Sequence, residues 1–158
     1  MAKRSAGLLM FRKKGAELEV FLVHPGGPFW AAKDAGAWTV PKGEYIEGEK
    51  PLEAAKREFT EETGFAAEGE FIDLGTVRQT SGKLVNAWAF EGDCDPEMLV
   101  SNLCEIEWPP RSGKKKEIPE VDRGAWFTLG QARQKILSSQ VGFLDVLEKK
   151  VHSGAIRE

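Results

Sequence analysis

The stretch from Gly43 to Phe65 constrains this chain more than any other, because it predicts a short helix with well-defined ends. Pro51 suits the first helical turn, where its missing N–H would be unpaired in any case. Gly64 suits the left-handed position that follows the last turn of many helices. The pattern therefore predicts a helix from Pro51 to Thr63.

Three carboxylates share one face of this predicted helix. At about 100° per residue, Glu58, Glu61 and Glu62 fall within one arc of roughly 100°. Like charges at this spacing repel, whereas divalent cations such as Mg2+ bind carboxylate oxygens together with waters and substrate phosphates. Arg57 can fix one glutamate by a forked contact. The helical spacing alone leaves two interpretations open, a solvated acidic face and a metal site.

The spacing over the whole stretch matches the Nudix signature, G-x5-E-x7-R-E-U-x-E-E-x-G-U, in which U is a bulky apolar residue. Nine fixed positions within twenty-three residues are a specific signal. The chain therefore resembles the Nudix hydrolases, also described as MutT-like. The matching residues are Gly43, Glu49, Arg57, Glu58, Phe59, Glu61, Glu62, Gly64 and Phe65.

This resemblance implies metal-dependent hydrolysis of a diphosphate linkage in a nucleoside diphosphate joined to another moiety, with Mg2+ or Mn2+ as the cofactor. It implies that Glu58, Glu61 and Glu62 bind metal. The predicted catalytic residues are Glu58, Glu61 and Arg57, with Arg57 orienting a glutamate rather than touching substrate. Glu49 would either hold one of the metal-binding residues in place or serve as an auxiliary metal ligand. The resemblance leaves open which glutamate takes the proton from water.

The segment that enters the signature reads W-x-x-P-K-G, from Trp38 to Gly43. It is similar to the corresponding segment in Nudix hydrolases of dinucleoside polyphosphates and diphosphoinositol polyphosphates. The resemblance implies that Lys42 lies near the phosphates, and Trp38 and Lys42 are predicted to bind substrate. The alternative is that Trp38 is a core residue and Lys42 is solvated.

The substrate prediction favours a dinucleoside polyphosphate or a related nucleotide. The only tyrosine is Tyr45, so the downstream tyrosine found in many diadenosine polyphosphate hydrolases is absent. A nucleoside-triphosphate pyrophosphatase, an enzyme acting on capped RNA and a non-catalytic nucleotide-binding sensor are therefore kept as alternatives.

Two further segments carry predicted site residues. Trp108 to Lys116 is the most basic stretch, and its prolines exclude it from a central strand. It is either a solvated loop or an anion clamp in which Arg111 and Lys114 bind substrate. Nudix enzymes often take an additional acidic metal ligand from a loop in the next segment. By that resemblance Glu120 is predicted to bind metal, with Glu117 as the second choice.

Single residues near the second predicted strand allow two readings each. His24 is either a strand-end residue or a catalytic base, and a base needs a positioned partner. Phe29 and Trp30 lie in a glycine-rich and proline-rich loop. They either close the edge of the core or form a platform for a flat ligand.

Strands before and after the predicted helix, followed by C-terminal helices, indicate an α/β protein with a mixed sheet between helical layers. The resemblance sharpens this to the Nudix-type α/β/α sandwich, in a single domain over residues 1–158. Thr128 and Gln131 form a predicted capping box at the start of one C-terminal helix, and Val141–Val151 is the other. Strands are predicted at Ser5–Phe11, Leu18–His24, Phe71–Thr80, Leu84–Glu91, within Leu99–Trp108 and at Ala125–Phe127.

Composition limits the partners. A net charge of -3 argues against bulk attraction to nucleic acid, so a small-molecule nucleotide is the expected partner. No apolar run is long enough to cross a membrane. Cys94 and Cys104 lack metal-ligand spacing and are read as reduced thiols in a cytoplasmic protein. The sequence specifies no oligomeric state.

Overall fold

A computed structural model of the chain describes residues 3–152. In addition to its strands and helices, this part of the chain has 3-10 turns at Pro96–Met98 and Ser138–Gln140. The elements are β1 Arg4–Lys14, β2 Glu17–Pro25, β3 Lys42–Glu44, α1 Pro51–Thr63, β4 Ile72–Arg78, β5 Leu84–Glu91, β6 Leu103–Glu107, β7 Lys115–Pro119, β8 Val121–Thr128, α2 Leu129–Lys135 and α3 Val141–His152.

The main sheet is mixed and has an opening near its centre. Its strand order is β4-β5-β1-β2-β8, and β3 also pairs with β1. β1 runs parallel to β5 and antiparallel to β2 and β3. The chain leading into β3 lies between β1 and β2, where the N–H of Leu8 donates to Pro41 and that of Val23 donates to Thr39. This arrangement places β3 beside the N-terminal part of β1.

Helices cover both faces of the sheet. On one face Leu9 belongs to the same buried cluster as Phe143 of α3. On the other face Leu8 belongs to a buried cluster with Phe59 of α1. A strand buried on both faces shows little alternation between apolar and polar residues. The structure therefore confirms the predicted α/β/α sandwich with a mixed central sheet.

The ends of the signature helix agree with the sequence prediction. α1 spans Pro51–Thr63 with the proline in its first turn. Gly64 follows with φ 80°, and its N–H donates to the carbonyl oxygen of Thr60. The predicted capping box at Thr128 and Gln131 is also present at the start of α2.

Several strand boundaries differ from the sequence prediction, and two of the differences affect the site region. The sequence predicts a loop over Trp108–Lys116, but Lys115 and Lys116 belong to β7, which pairs with β6 in a separate two-stranded sheet. β8 begins at Val121, four residues before the predicted start, because it pairs with β2. Both differences arise from pairing between segments distant in sequence, which short-range patterns do not report.

None of the helices within residues 3–152 is long and apolar enough to span a membrane. Cys94 and Cys104 are both free thiols. The cytoplasmic location stays a prediction.

Candidate active site

A cavity of about 470 Å3 opens where β3, α1 and the start of β8 meet. Its wall includes acidic side chains from α1 and from the β7–β8 connection, and lysines from β3 and from the β4–β5 turn. The lining residues are Ser5, Pro25, Thr39, Lys42, Gly43, Glu44, Glu58, Glu62, Lys83, Glu120 and Val121.

Gly43 and Glu58 fit together only because the former has no side chain. A Cβ on Gly43 would lie 2.0 Å from Cδ of Glu58, which is far inside van der Waals contact. The turn before α1 therefore approaches the helix closely enough to bury the carboxylate. This contact gives a physical reason for the first glycine of the signature.

Arg57 holds three of the signature glutamates in one network. Its Nη1 donates to Glu58 at 2.9 Å and to Glu61 at 3.3 Å. Its Nη2 donates to Glu49 at 3.1 Å. Among the predicted catalytic residues, Arg57 and Glu61 do not line the cavity, and Glu58 does. The geometry suits the predicted role of Arg57, because it orients Glu58 through a charged contact.

Glu62 is the most unusual carboxylate of the cavity. Only 6% of its surface is exposed, and its Oε1 accepts a hydrogen bond from the backbone N–H of Lys42 at 3.3 Å. Burial, followed by the charges of Glu120 and Glu58, raises the pKa of Glu62 to about 9. Burial and the neighbouring Glu61 also raise the pKa of Glu58, although Arg57 opposes this. The cavity therefore concentrates negative charge with too little positive charge to balance it.

Glu120 comes to the same cavity from the connection before β8. Its Oε1 accepts a hydrogen bond from the amide of Asn102 at 3.2 Å, and its backbone N–H donates to Asn102. Glu117, the second choice, is exposed on β7 and does not line the cavity. The structure thus brings Glu120 together with Glu58 and Glu62.

These three glutamates suit a divalent cation in their chemistry. Oxygen donors are the ligands that hard cations prefer. Burial, and after it mutual repulsion, raises the pKa values of Glu58 and Glu62, and a cation would relieve that repulsion. Within residues 3–152, no three acidic, histidine or cysteine side chains already converge in the arrangement of a metal site. Arg57, Lys42 and Asn102 hold the separate carboxylates instead.

The two residues predicted from the segment before the signature have different positions. Lys42 lines the cavity, and burial together with Lys83 lowers its pKa. Trp38 is 4% exposed within the core, and its Nε1 donates to Asp34 at 2.7 Å. The burial of Trp38 favours its reading as a core residue, and its contact with substrate stays a prediction that this position does not support.

The basic stretch does not reach the cavity wall. Arg111 and Lys114 lie at the exposed tip of the β6–β7 hairpin, where the backbone N–H of Arg111 donates to Glu107. Neither side chain lines the cavity. Their contact with substrate stays a prediction that this arrangement does not support.

The aromatic pair lies in the segment that follows β2. Phe29 and Trp30 meet edge to face with ring centres 5.1 Å apart, and Phe29 is 57% exposed. Nζ of Lys33 lies 4.4 Å from the centre of the Phe29 ring. Exposure argues against Phe29 as a plug of the core, and its role as a platform stays a prediction.

Sequence reasoning missed several polar residues of the cavity, among them Lys83 and Ser5. Lys83 lies in the β4–β5 turn, and its Nζ donates to Glu44 at 3.1 Å. Ser5 lies near the start of β1. Nothing in their local sequence marks them, because strand pairing alone brings them next to β3.

The comparisons with known proteins agree with the fold. The model of the NUDIX domain family matches residues 1–147. The chain belongs to the Nudix family and is a Nudix pyrophosphohydrolase. Members of this family generally need divalent metal ions.

Similar proteins include characterised and uncharacterised ones. The asymmetrical bis(5'-nucleosyl)-tetraphosphatase of Rattus norvegicus is 34% identical over 114 residues, which are 64% of this chain and 74% of the rat protein. An uncharacterised 17.7 kDa protein of phage T4 is 26% identical over 88% of this chain and 95% of its own. A crystal structure of a C. elegans Ap4A hydrolase in a binary complex superposes with a TM-score of 0.66, at 22% identity, covering 94% of this chain and 98% of that one.

Replacing Gly43 by alanine is expected to lower kcat/KM by at least about tenfold, because the new methyl group displaces the Glu58 carboxylate. Gly130→Ala is the matched control, since a Cβ there meets nothing within 4 Å. The measurement is steady-state kinetics on both variants with their melting temperatures. Equal activity of Gly43→Ala and Gly130→Ala would contradict the packing of Glu58 against Gly43.

Proposed function

We propose that this chain hydrolyses dinucleoside polyphosphates, or closely related nucleotides, at a diphosphate linkage. The observation that carries the proposal is the composition of one cavity wall, in which Glu58, Glu62 and Glu120 face the same space as Lys42 and Lys83. Carboxylates suit a metal bound to the diphosphate, and ammonium groups suit the phosphates themselves. The similarity to the rat tetraphosphatase supports this substrate class.

The position of each residue in the cavity suggests its role in metal binding, phosphate binding or proton transfer. Glu58, Glu62 and Glu120 would hold Mg2+ or Mn2+, with Glu61 at the exposed edge of the helix. The bound ion would neutralise phosphate charge and lower the pKa of a water molecule. Arg57 keeps Glu58 oriented by its 2.9 Å contact. Lys42 and Lys83 would bind phosphoryl oxygens, and one cavity glutamate would accept the proton of the attacking water.

A substrate screen tests the proposal. Purified protein is incubated with Mg2+ or with Mn2+ and with dinucleoside polyphosphates, nucleoside triphosphates, nucleotide sugars or diphosphoinositol polyphosphates, and the products are identified by chromatography. We expect the highest kcat/KM for a dinucleoside polyphosphate, with two nucleotides as products.

Each of the other outcomes of the screen would indicate a different function. Preferred release of pyrophosphate from a nucleoside triphosphate would replace the proposal by a triphosphate pyrophosphatase. Tight nucleotide binding without any product would replace it by a sensor. A preference for nucleotide sugars would also overturn the proposed substrate class.

A further inference from the structure

Two polar groups in the cavity wall lack a partner for the hydrogen bonds that they can donate. The side chain of Ser5 is 1% exposed, and its Oγ is the only buried side-chain nitrogen or oxygen without a hydrogen-bond partner among residues 3–152. Nζ of Lys42 has no ion pair within 4 Å in the same part of the chain. Buried polar groups are nearly always paired, so the Ser5 hydroxyl needs an acceptor. The Lys42 ammonium, in the same cavity wall, can donate to that acceptor as well.

Strand register places these two groups on one face of the sheet. Ser5 of β1 lies opposite Glu44 of β3, and Gly7 lies opposite Lys42. Residues directly opposite in a sheet project to the same side, as do residues two apart in one strand. Ser5, Lys42 and Glu44 therefore project together. Gly7 has no side chain, and a Cβ there would lie 2.9 Å from Cβ of Lys42, so the two strands approach closely at this point.

Gly43 projects to the other side of β3, where Glu58 packs against it. Both faces of β3 nevertheless contribute to one cavity. A ligand bound to the glutamates can therefore continue along β3 towards Ser5 and Lys42. The two sets of residues would contact different parts of the same molecule.

Two lysines of the cavity wall, Lys42 and Lys83, suit the anionic part of a ligand when a cation offsets the charge of the glutamates. Glu44, the nearest carboxylate by register, is already neutralised by Lys83 at 3.1 Å. Lys42 and Lys83 both line the cavity, and their like charges repel each other. An anion near both lysines relieves that repulsion, and a hydroxyl donor completes its coordination.

We propose that Ser5 Oγ and Lys42 Nζ donate hydrogen bonds to the same phosphoryl group of the substrate, which makes Ser5 a substrate-binding residue. This inference rests on the proposed function, because it takes a polyphosphate as the ligand. Ser5 does not contact the reacting glutamates. Its loss is therefore expected to change KM and to leave kcat nearly unchanged.

The first test is the dissociation constant of α,β-methylene-ATP with Mg2+, measured by isothermal titration calorimetry. Ser5→Ala is expected to weaken binding about tenfold or more, as for the loss of a hydrogen bond to a charged acceptor. Ser5→Cys keeps a similar side-chain size with a weak donor and should weaken binding in the same way. Ser138→Ala, an exposed serine outside the cavity wall, is the matched control and should bind like the wild type.

Melting temperatures separate binding from packing. Ser5→Ala removes a buried hydroxyl without a partner, so the ligand-free variant should melt at the same temperature as the wild type or above it. Unchanged binding by both Ser5 variants would overturn the inference, as would a lower melting temperature with unchanged binding.

The inference and the proposed function fail in different ways. If the wild type hydrolyses dinucleoside polyphosphates and Ser5→Ala has a normal KM, only the Ser5 contact is wrong. If the wild type hydrolyses none of them but Ser5→Ala still weakens binding of the analogue, the Ser5 contact stands and the proposed substrate is wrong. No binding of the analogue by the wild type would overturn the contact.

Discussion

Glu62→Gln is expected to lower kcat well over tenfold while the protein keeps its melting temperature. Glu62 faces the cavity together with Glu58 and Glu120, and an amide is a poorer ligand for a divalent cation than a carboxylate. Stability should be retained because the raised pKa, about 9, keeps Glu62 protonated in the metal-free protein near neutral pH. A glutamine side chain has nearly the same shape and can still accept from Lys42.

The matched control for this substitution is Glu53→Gln. Glu53 lies on the same helix, but it is exposed and makes only a 3.8 Å contact with Lys56. Steady-state kinetics and thermal melting of both variants give the comparison. Near-normal turnover by a folded Glu62→Gln protein would contradict the assignment of Glu62 as a metal ligand needed for turnover.

The signature helix could be predicted because its signals are local. Pro51 and Gly64 mark its ends within the stretch itself, and both occupy the expected positions. The same locality applies to Glu58 and Glu62, since a helix fixes their relative directions once it forms. The prediction did not distinguish them from Glu61, which stays outside the cavity wall. That difference depends on how the sheet lies against the helix.

The remainder of the cavity depends on contacts between distant segments. Lys83 and Ser5 reach it through the pairing of β1 with β5 and β3, which neither residue signals in its own neighbourhood. Only the resemblance to Nudix enzymes predicts Glu120 as a metal ligand. Its position is set by the carbonyl and amide of Asn102, eighteen residues earlier. Resemblance to a family can supply such a residue where local patterns cannot.

For Trp38 and His24, burial and hydrogen bonds within the protein favour a structural role over a functional one. The sequence allows a substrate-binding role for Trp38 and a catalytic role for His24. His24 is fully buried, with Nδ1 2.9 Å from Asp122 and Nε2 2.6 Å from the carbonyl oxygen of Lys33. Its ring packs edge to face against Trp38 at 5.2 Å. The pair therefore fastens the segment after β2 to the sheet, which supports the reading of His24 as a strand-end residue.

Removal of divalent ions by a chelator is expected to abolish hydrolysis, and addition of Mg2+ or Mn2+ is expected to restore it. The physical reason is the excess of negative charge in the cavity, which would repel a phosphate in the absence of a cation. The measurement is product formation before and after dialysis against chelator, with each metal added separately. Turnover that persists without metal would contradict the proposed role of the three glutamates.

The metal requirement should also depend on pH in a defined direction. Burial and Glu120 raise the pKa of Glu62 to about 9, so a metal that binds Glu62 below that pH must displace its proton. The affinity for Mg2+ should therefore rise between about pH 6 and about pH 8, by at most about tenfold per pH unit for one released proton. Glu62→Gln has no such proton to release, so its weaker Mg2+ affinity should change much less over the same range. Calorimetric titration of both proteins with Mg2+ measures this difference, and equal pH dependence would show that Glu62 does not bind the metal.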